Sequence, residues 1–138
     1  MIQEHGDGII EVEGPPILGF VFTNNIARHN AYGIKGSDRG IGSDTISAFF
    51  PASLITNNVI ADGDPSRYPS GNRFPSSAEF KRQFVAYDQG DFRLAPASPW
   101  NSASTTGSAL GAQVSAGAGG SKDPDDPKRP RPTKRGGM

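Results

Sequence analysis

Phe22-Thr23-Asn24-Asn25-Ile26-Ala27 returns 33 residues later, Asn24 to Asn57, as Ile55-Thr56-Asn57-Asn58-Val59-Ile60. Self-similarity at a fixed offset is the mark of stacked units. Each copy reads as a short strand entering an Asn-Asn bend and a second strand leaving it: Phe20 to Thr23 then Ile26 to Arg28, and Leu54 to Thr56 then Val59 to Ala61. Asn suits such a bend because it enters the left-handed region at lower cost than a β-branched residue. Asn24, Asn25, Asn57 and Asn58 are therefore expected to be structural corners. Amides repeated at one corner can hydrogen-bond their counterparts when strands stack at about 4.8 Å. Two unrelated turns are the competing reading.

Outward from the repeat, Gly8 to Val12 and Ala31 to Lys35 read as further strands, and the polar stretch from Gly36 to Thr45 reads as a loop. Ile46 to Pro51 is expected to cross back toward the second copy. Asp62 to Ser77, dense in Pro, Gly, Ser and Asp, reads as a long surface excursion. Gln83 to Tyr87 and Phe92 to Leu94 complete the expected strands. Past Ser115 the chain turns to Ala, Gly and Ser and then to a Pro-rich charged run, with no apolar anchor to offset the entropy of ordering it; a disordered tail is expected over 115–138. The division is thus 1–87 as stacked coils, 88–114 as a cap and 115–138 as tail.

Composition agrees with many short strands and tight turns: 18 Gly and 12 Pro among 138 residues, with 34% hydrophobic residues. Residues 1–120 hold 8 Lys and Arg against 11 Asp and Glu, and 121–138 hold 6 against 3. An acidic body lacks the clustered cations that nucleic acid needs, so nucleic acid is not an expected partner. With no cysteine there is neither a disulfide framework nor a thiolate metal site. No apolar run approaches the roughly 20 residues of a transmembrane segment, and Met1 to Gly6 lacks the basic and apolar regions of a signal peptide.

The strand-Asn-Asn-strand-Tyr-Gly-Ile pattern of Phe22 to Ile34, together with Gly90-Asp91-Phe92-Arg93-Leu94-Ala95-Pro96-Ala97-Ser98-Pro99-Trp100-Asn101, resembles the C-terminal part of right-handed parallel β-helix proteins of the pectate-lyase-like superfamily. The resemblance spans about residues 8 to 114. It implies an all-β fold, the last two to three coils of a parallel β-helix solenoid, closed by a cap in which Phe92, Leu94 and Trp100 plug the open end. It implies an extracellular or cell-surface protein linked to polysaccharide binding or degradation. The chain itself is then expected to be a structural, capping fragment without a complete active site. The alternatives are a polysaccharide lyase or hydrolase fragment keeping part of its substrate groove, and a non-catalytic surface adhesin module. Expected partners are a polysaccharide, upstream β-helix coils, or a second copy bound through the open N-terminal end.

No catalytic residues can be assigned. Glycosidic hydrolysis needs two positioned carboxylates, and the adjacent pair Asp125 and Asp126 lies in the tail. Lys35, Asp38, Arg39 and Asp44 stand where a strand passes into a loop, the region that lines the substrate groove in the family the chain resembles; they are the substrate-binding candidates, against a solvated turn as the plainer alternative. Asp62-Gly63-Asp64 could hold Ca²⁺, although one Asp-x-Asp is a weak signal, so no cofactor or metal is assigned. His5 and His29 have no metal-binding spacing, and His29 is expected to face outward at a strand end. The glycine-rich Gly36 to Gly42 lacks the Gly-Lys-Ser/Thr ending of a phosphate cradle. Phe49, Phe50, Tyr68, Phe74, Tyr87, Phe92 and Trp100 could stack on sugars if exposed, and otherwise pin loops to the core. The basic run Lys128 to Arg135 is read as a solvated spacer.

Overall fold

The structure, a computed structural model, describes residues 2–3 and 6–113. Nine short strands, β1 (Ile2–Gln3), β2 (Ile10–Val12), β3 (Val21–Thr23), β4 (Ile26–Arg28), β5 (Ile34–Gly36), β6 (Leu54–Thr56), β7 (Val59–Ala61), β8 (Phe84–Ala86) and β9 (Asp91–Leu94), alternate with two helices, α1 (Ser43–Phe49) and α2 (Ser77–Arg82). Three 3-10 turns, Pro65–Arg67, Tyr87–Gln89 and Pro99–Ser102, complete the elements.

The expected right-handed parallel β-helix, its solenoid and its all-β composition are not what the chain forms. The described strands build one three-stranded parallel sheet, β1-β4-β7, two parallel pairs, β2-β5 and β3-β6, and an antiparallel pair, β8-β9. None of these strands exceeds four residues. The result is a small mixed α/β fold, and the pectate-lyase-like reading of its architecture falls with the β-helix. The physical reason lies in the connections. Ile10 lies opposite Ile34 and Val21 opposite Leu54, an offset of 24 residues in one pair and 33 in the other, so no constant repeat carries through the chain. Where the chain was expected to cross back after the polar loop, Ile46, Phe49 and Phe50 recur at i, i+3 and i+4, and they close one face of α1 and its C-cap onto the core. After β7 the chain enters α2, whose Ser76–Glu79 capping box satisfies the first-turn donors.

Two apolar clusters hold these pieces. Ile34, Ile46, Phe49, Phe50, Ile55, Ile60 and Tyr68 form one; Ile26, Val59, Ala61, Phe80, Phe84, Tyr87, Trp100 and Leu110 form the other. β7 serves both from its opposite faces: Val59 and Ala61 belong to the second cluster and Ile60 to the first, as strand alternation requires. Phe80, fully buried, meets Phe84, Tyr87 and Trp100 at ring-centroid separations of 5.2, 5.6 and 6.0 Å.

The Asn-Asn bends lie directly over one another. Asn24 and Asn57 take positive φ, 62° and 58°. Asn57 Nδ2 donates to Asn24 Oδ1 at 2.7 Å, and Asn25 donates its backbone N and Nδ2 to Asn58 Oδ1 at 2.9 and 3.1 Å. A third amide joins them: Asn58 N and Nδ2 both donate to Asn72 Oδ1, at 3.0 and 3.1 Å. Asn72 comes from the stretch read as a surface excursion. Arg73 beside it bridges Val59 in parallel, so residues 72–73 add a further rung. Asn24 also accepts from Thr105 N, at 3.0 Å, and Gly111 N donates to Asn24 O, at 2.8 Å, which ties the closing segment to the same corner.

Candidate functional site

β2 and β5 place Glu11 directly opposite Lys35, with both side chains on the outer face of the pair. Beyond Gly36 the chain reverses through Asp38, at φ 58°, and Gly42, at φ 76°. The reversal is pinned from inside. Thr45, fully buried on α1, accepts from Gly36 N at 2.8 Å and donates to Gly40 O at 2.7 Å. Gly36 must lack a Cβ because one would come within 2.3 Å of the Phe49 ring. A rigid core contact therefore positions an exposed polar loop.

This loop walls an open cleft of about 710 Å³ whose lining includes Glu11, Glu13, Tyr32, Lys35, Ser37 and Asp38. Asp38 is shared with two adjoining hollows of about 510 Å³ each, one bordered by Arg39 and Asp44 and the other by Arg39 and Pro16. Lys35, Asp38, Arg39 and Asp44 are thus brought together along one shallow polar groove. The Lys35 ammonium turns onto main-chain oxygens, donating to Gly36 O at 3.0 Å and to Arg39 O. Glu11, Glu13 and Tyr32 were not legible as groove residues. Only the β2-β5 pairing sets Glu11 beside Lys35, and the 46% exposure of Tyr32 follows from its place just before β5.

The other candidates fall elsewhere. Asp62 accepts from Ser77 N at 2.9 Å and from the Ser77 hydroxyl, which fastens the start of α2. Asp64 accepts from Ser66 N and Ser66 Oγ at 2.9 and 2.7 Å, and these bonds hold its carboxyl below the usual range. Both carboxylates are engaged as local caps, and among the described residues no three His, Cys, Asp or Glu side chains converge as a metal site. His29 does not face outward as expected: its ring meets Tyr68 edge-on at 5.6 Å, and its Nε2 is buried without a hydrogen-bond partner. Burial raises the Tyr68 hydroxyl above the ordinary tyrosine value, while it accepts from Ile34 N at 3.3 Å.

Phe92 and Leu94 pack against the cluster that contains buried Trp100. The Asp91 carboxylate is held low by hydrogen bonds from Arg93, at 2.9 Å from Nε and 2.6 Å from Nη2. Phe49, Phe50, Tyr68, Tyr87 and Trp100 are buried, and Phe74 packs on the first cluster, so these rings serve the core. His5 and the tail with Asp125, Asp126 and Lys128 to Arg135 lie outside the described residues. Among the described residues no helix is long and apolar enough to cross a membrane.

No family model, curated protein or solved structure matches this chain.

Proposed function

We propose that the chain is a non-catalytic module that binds a polysaccharide segment along the groove running from Glu11 and Lys35 to Arg39 and Asp44. The observation that carries the reading is the groove itself: three adjoining hollows that meet at Asp38, open to solvent and lined largely by charged and hydroxyl side chains. Small apolar ligands favour enclosed, mostly apolar pockets. A long, shallow, polar trough suits a chain of hydroxyl-rich units, each making a few hydrogen bonds. Tyr32 at its wall offers an exposed ring face for a sugar. Such a ligand belongs outside the cell or at its surface, which is where we place the protein. The test is glycan binding by calorimetry, with Lys35→Ala and Arg39→Ala as probes. Weakened binding without release of shortened product supports the reading. Unchanged binding in both variants, or measured depolymerisation, refutes it.

Self-association is a second reading, favoured by an uneven core. Ile10 and Phe22 are half-buried, whereas the residues paired with them, Ile34 and Ile55, are 0% and 3% exposed. Leu18 and Val21 beside this edge are 77% and 61% exposed. A second copy covering this row would remove apolar surface from water. A concentration-independent monomer mass by light scattering would dispose of it.

A further inference from the structure

We infer that two copies of the chain join β3 to β3, antiparallel, about a twofold axis at Phe22. The inference rests on the self-association reading above and gives it a strand and a register.

β3 and β4 pair with β6 and β7 at the same offset of 33 residues, Val21 with Leu54 and Ile26 with Val59, so one side of both strands is covered. On the other side β4 carries β1, and among the described residues no strand lies beside β3. The side chains register the gap. Val21 is 61% exposed, and Phe22 is half-buried although Ile55 opposite it is buried.

The backbone defines what fits this edge. Leu54 N donates to Phe20 O at 2.9 Å and Asn58 Nδ2 to Phe22 O at 2.7 Å, so Phe20 and Phe22 turn their carbonyls toward β6. Alternation turns the N–H and C=O groups of Val21 and Thr23 to the open edge. A strand laid antiparallel there, with Phe22 opposite Phe22 of the second copy, sets Val21 against Thr23 of the second copy and Thr23 against its Val21. Each of these two pairs exchanges both backbone bonds, and no outward donor of β3 is left over. Thr23 O already accepts from Asn25 Nδ2 at 3.0 Å and keeps a second lone pair for the new donor. The two Phe22 rings take the closer, non-hydrogen-bonded position, where aromatic cross-strand pairs are favourable.

Charge selects a second copy as the occupant. Edge strands are ordinarily guarded by lysine, proline or an inward-pointing charge. From Gly14 to Ala27 there is no Lys, Arg, Asp or Glu, in a chain where charged residues make up 20% of the whole, and β3 itself has no proline. A twofold axis sets every residue of an edge against the same edge, so charges on it would meet their like. This edge carries none.

The experiment is sedimentation equilibrium of the full chain across a wide concentration range, where a shift from monomer to dimer is expected. Val21→Lys with Thr23→Lys sets ammonium groups across each exchanged pair and should weaken the dimer by about tenfold or more. Val85→Lys, at an exposed apolar position on β8, should leave it unchanged. Urea unfolding read by Trp100 fluorescence certifies that each variant is folded. The chain has no cysteine, so introduced thiols report the register. Under mild oxidation Val21→Cys copies should crosslink to Thr23→Cys copies, whose Cα atoms the pairing sets about 5.5 Å apart, and neither variant should crosslink to itself. A chain that stays monomeric throughout overturns the inference and the self-association reading together. A dimer that the lysine pair leaves intact, or that Val85→Lys weakens as much, overturns the inference and leaves self-association standing. Crosslinks within one variant in place of between the two refute the register, and the inference with it.

Discussion

Replacing Asn58 by Leu tests whether the amide stack holds the molecule together. Asn58 is fully buried, and its side chain accepts from Asn25 N and Asn25 Nδ2 and donates to Phe22 O, Thr56 O and Asn72 Oδ1, at 2.7 to 3.1 Å. Leucine has nearly the same shape, so little cavity is created and the loss is almost wholly polar. Asn25 Nδ2 keeps Thr23 O at 3.0 Å, and Asn72 Oδ1 keeps Asn58 N. The groups that suffer are Asn25 N, which loses its acceptor, and Phe22 O and Thr56 O, which each lose a donor. A buried group stripped of its partner costs about 1 to 3 kcal/mol. Water reaching the half-buried bend at Asn25 moderates the total, and about 3 kcal/mol is expected. That is a large share of the roughly 5 to 15 kcal/mol available to a domain of ordinary stability. Urea unfolding followed by Trp100 fluorescence reads it directly: with a slope of about 1 to 3 kcal/mol/M, the midpoint should fall by about 1 to 3 M. Gln89→Ala, at an exposed position, should move it by less than about 0.5 kcal/mol. A loss below about 1 kcal/mol for Asn58→Leu, with the slope unchanged, would show that the stack follows from the fold and does not support it.

Phe80→Ala removes the ring at the centre of the Phe84, Tyr87 and Trp100 cluster and should cost about 3 to 5 kcal/mol in the same measurement. Ser76→Ala breaks the capping box of α2 and should cost about 1 kcal/mol, with amide exchange accelerating over 77–82 before it does elsewhere. Tyr68 keeps its proton in the folded chain to a higher pH than in the unfolded one. Its stabilisation is therefore complete below the ordinary tyrosine value and is lost as pH rises through the folded value; Tyr68→Phe should flatten the alkaline limb of the stability curve. Asp91 has the opposite sign: its depressed carboxyl contributes above the ordinary aspartate value and is lost as pH falls through the folded one, so Asp91→Asn should make the acid limb shallower.

Strand positions near the repeat were legible because the signal there is local. Ile26 to Arg28, Leu54 to Thr56 and Val59 to Ala61 form strands where the sequence places them, since β-branched residues flank amides that accept a left-handed bend. The architecture built from them was not. An echo of six residues says nothing about the length of the connections, and the helices occupy those connections. Both helices leave local traces: Ile46, Phe49 and Phe50 at helical spacing, and Ser76-x-x-Glu79 ahead of Phe80. They are short enough, seven and six residues, for the surrounding Gly, Ser and Pro to mask the period.

The groove divides the same way. Lys35, Asp38, Arg39 and Asp44 stand out as candidates because a strand running into a polar, glycine-rich loop is a local pattern. Glu11 lies 24 residues from Lys35 in the chain and beside it in space, and only the parallel register of β2 with β5 makes them neighbours. By itself the amino-acid order determined where the chain bends and which residues are exposed on its turns, because backbone preference and side-chain polarity act within a few residues. The third amide, the pairing of Glu11 with Lys35, and the mixed α/β arrangement were decided by tertiary contacts. Asn72 meets Asn58 across 14 residues, and Glu11 meets Lys35 across 24, for reasons of packing that no short stretch of the chain contains.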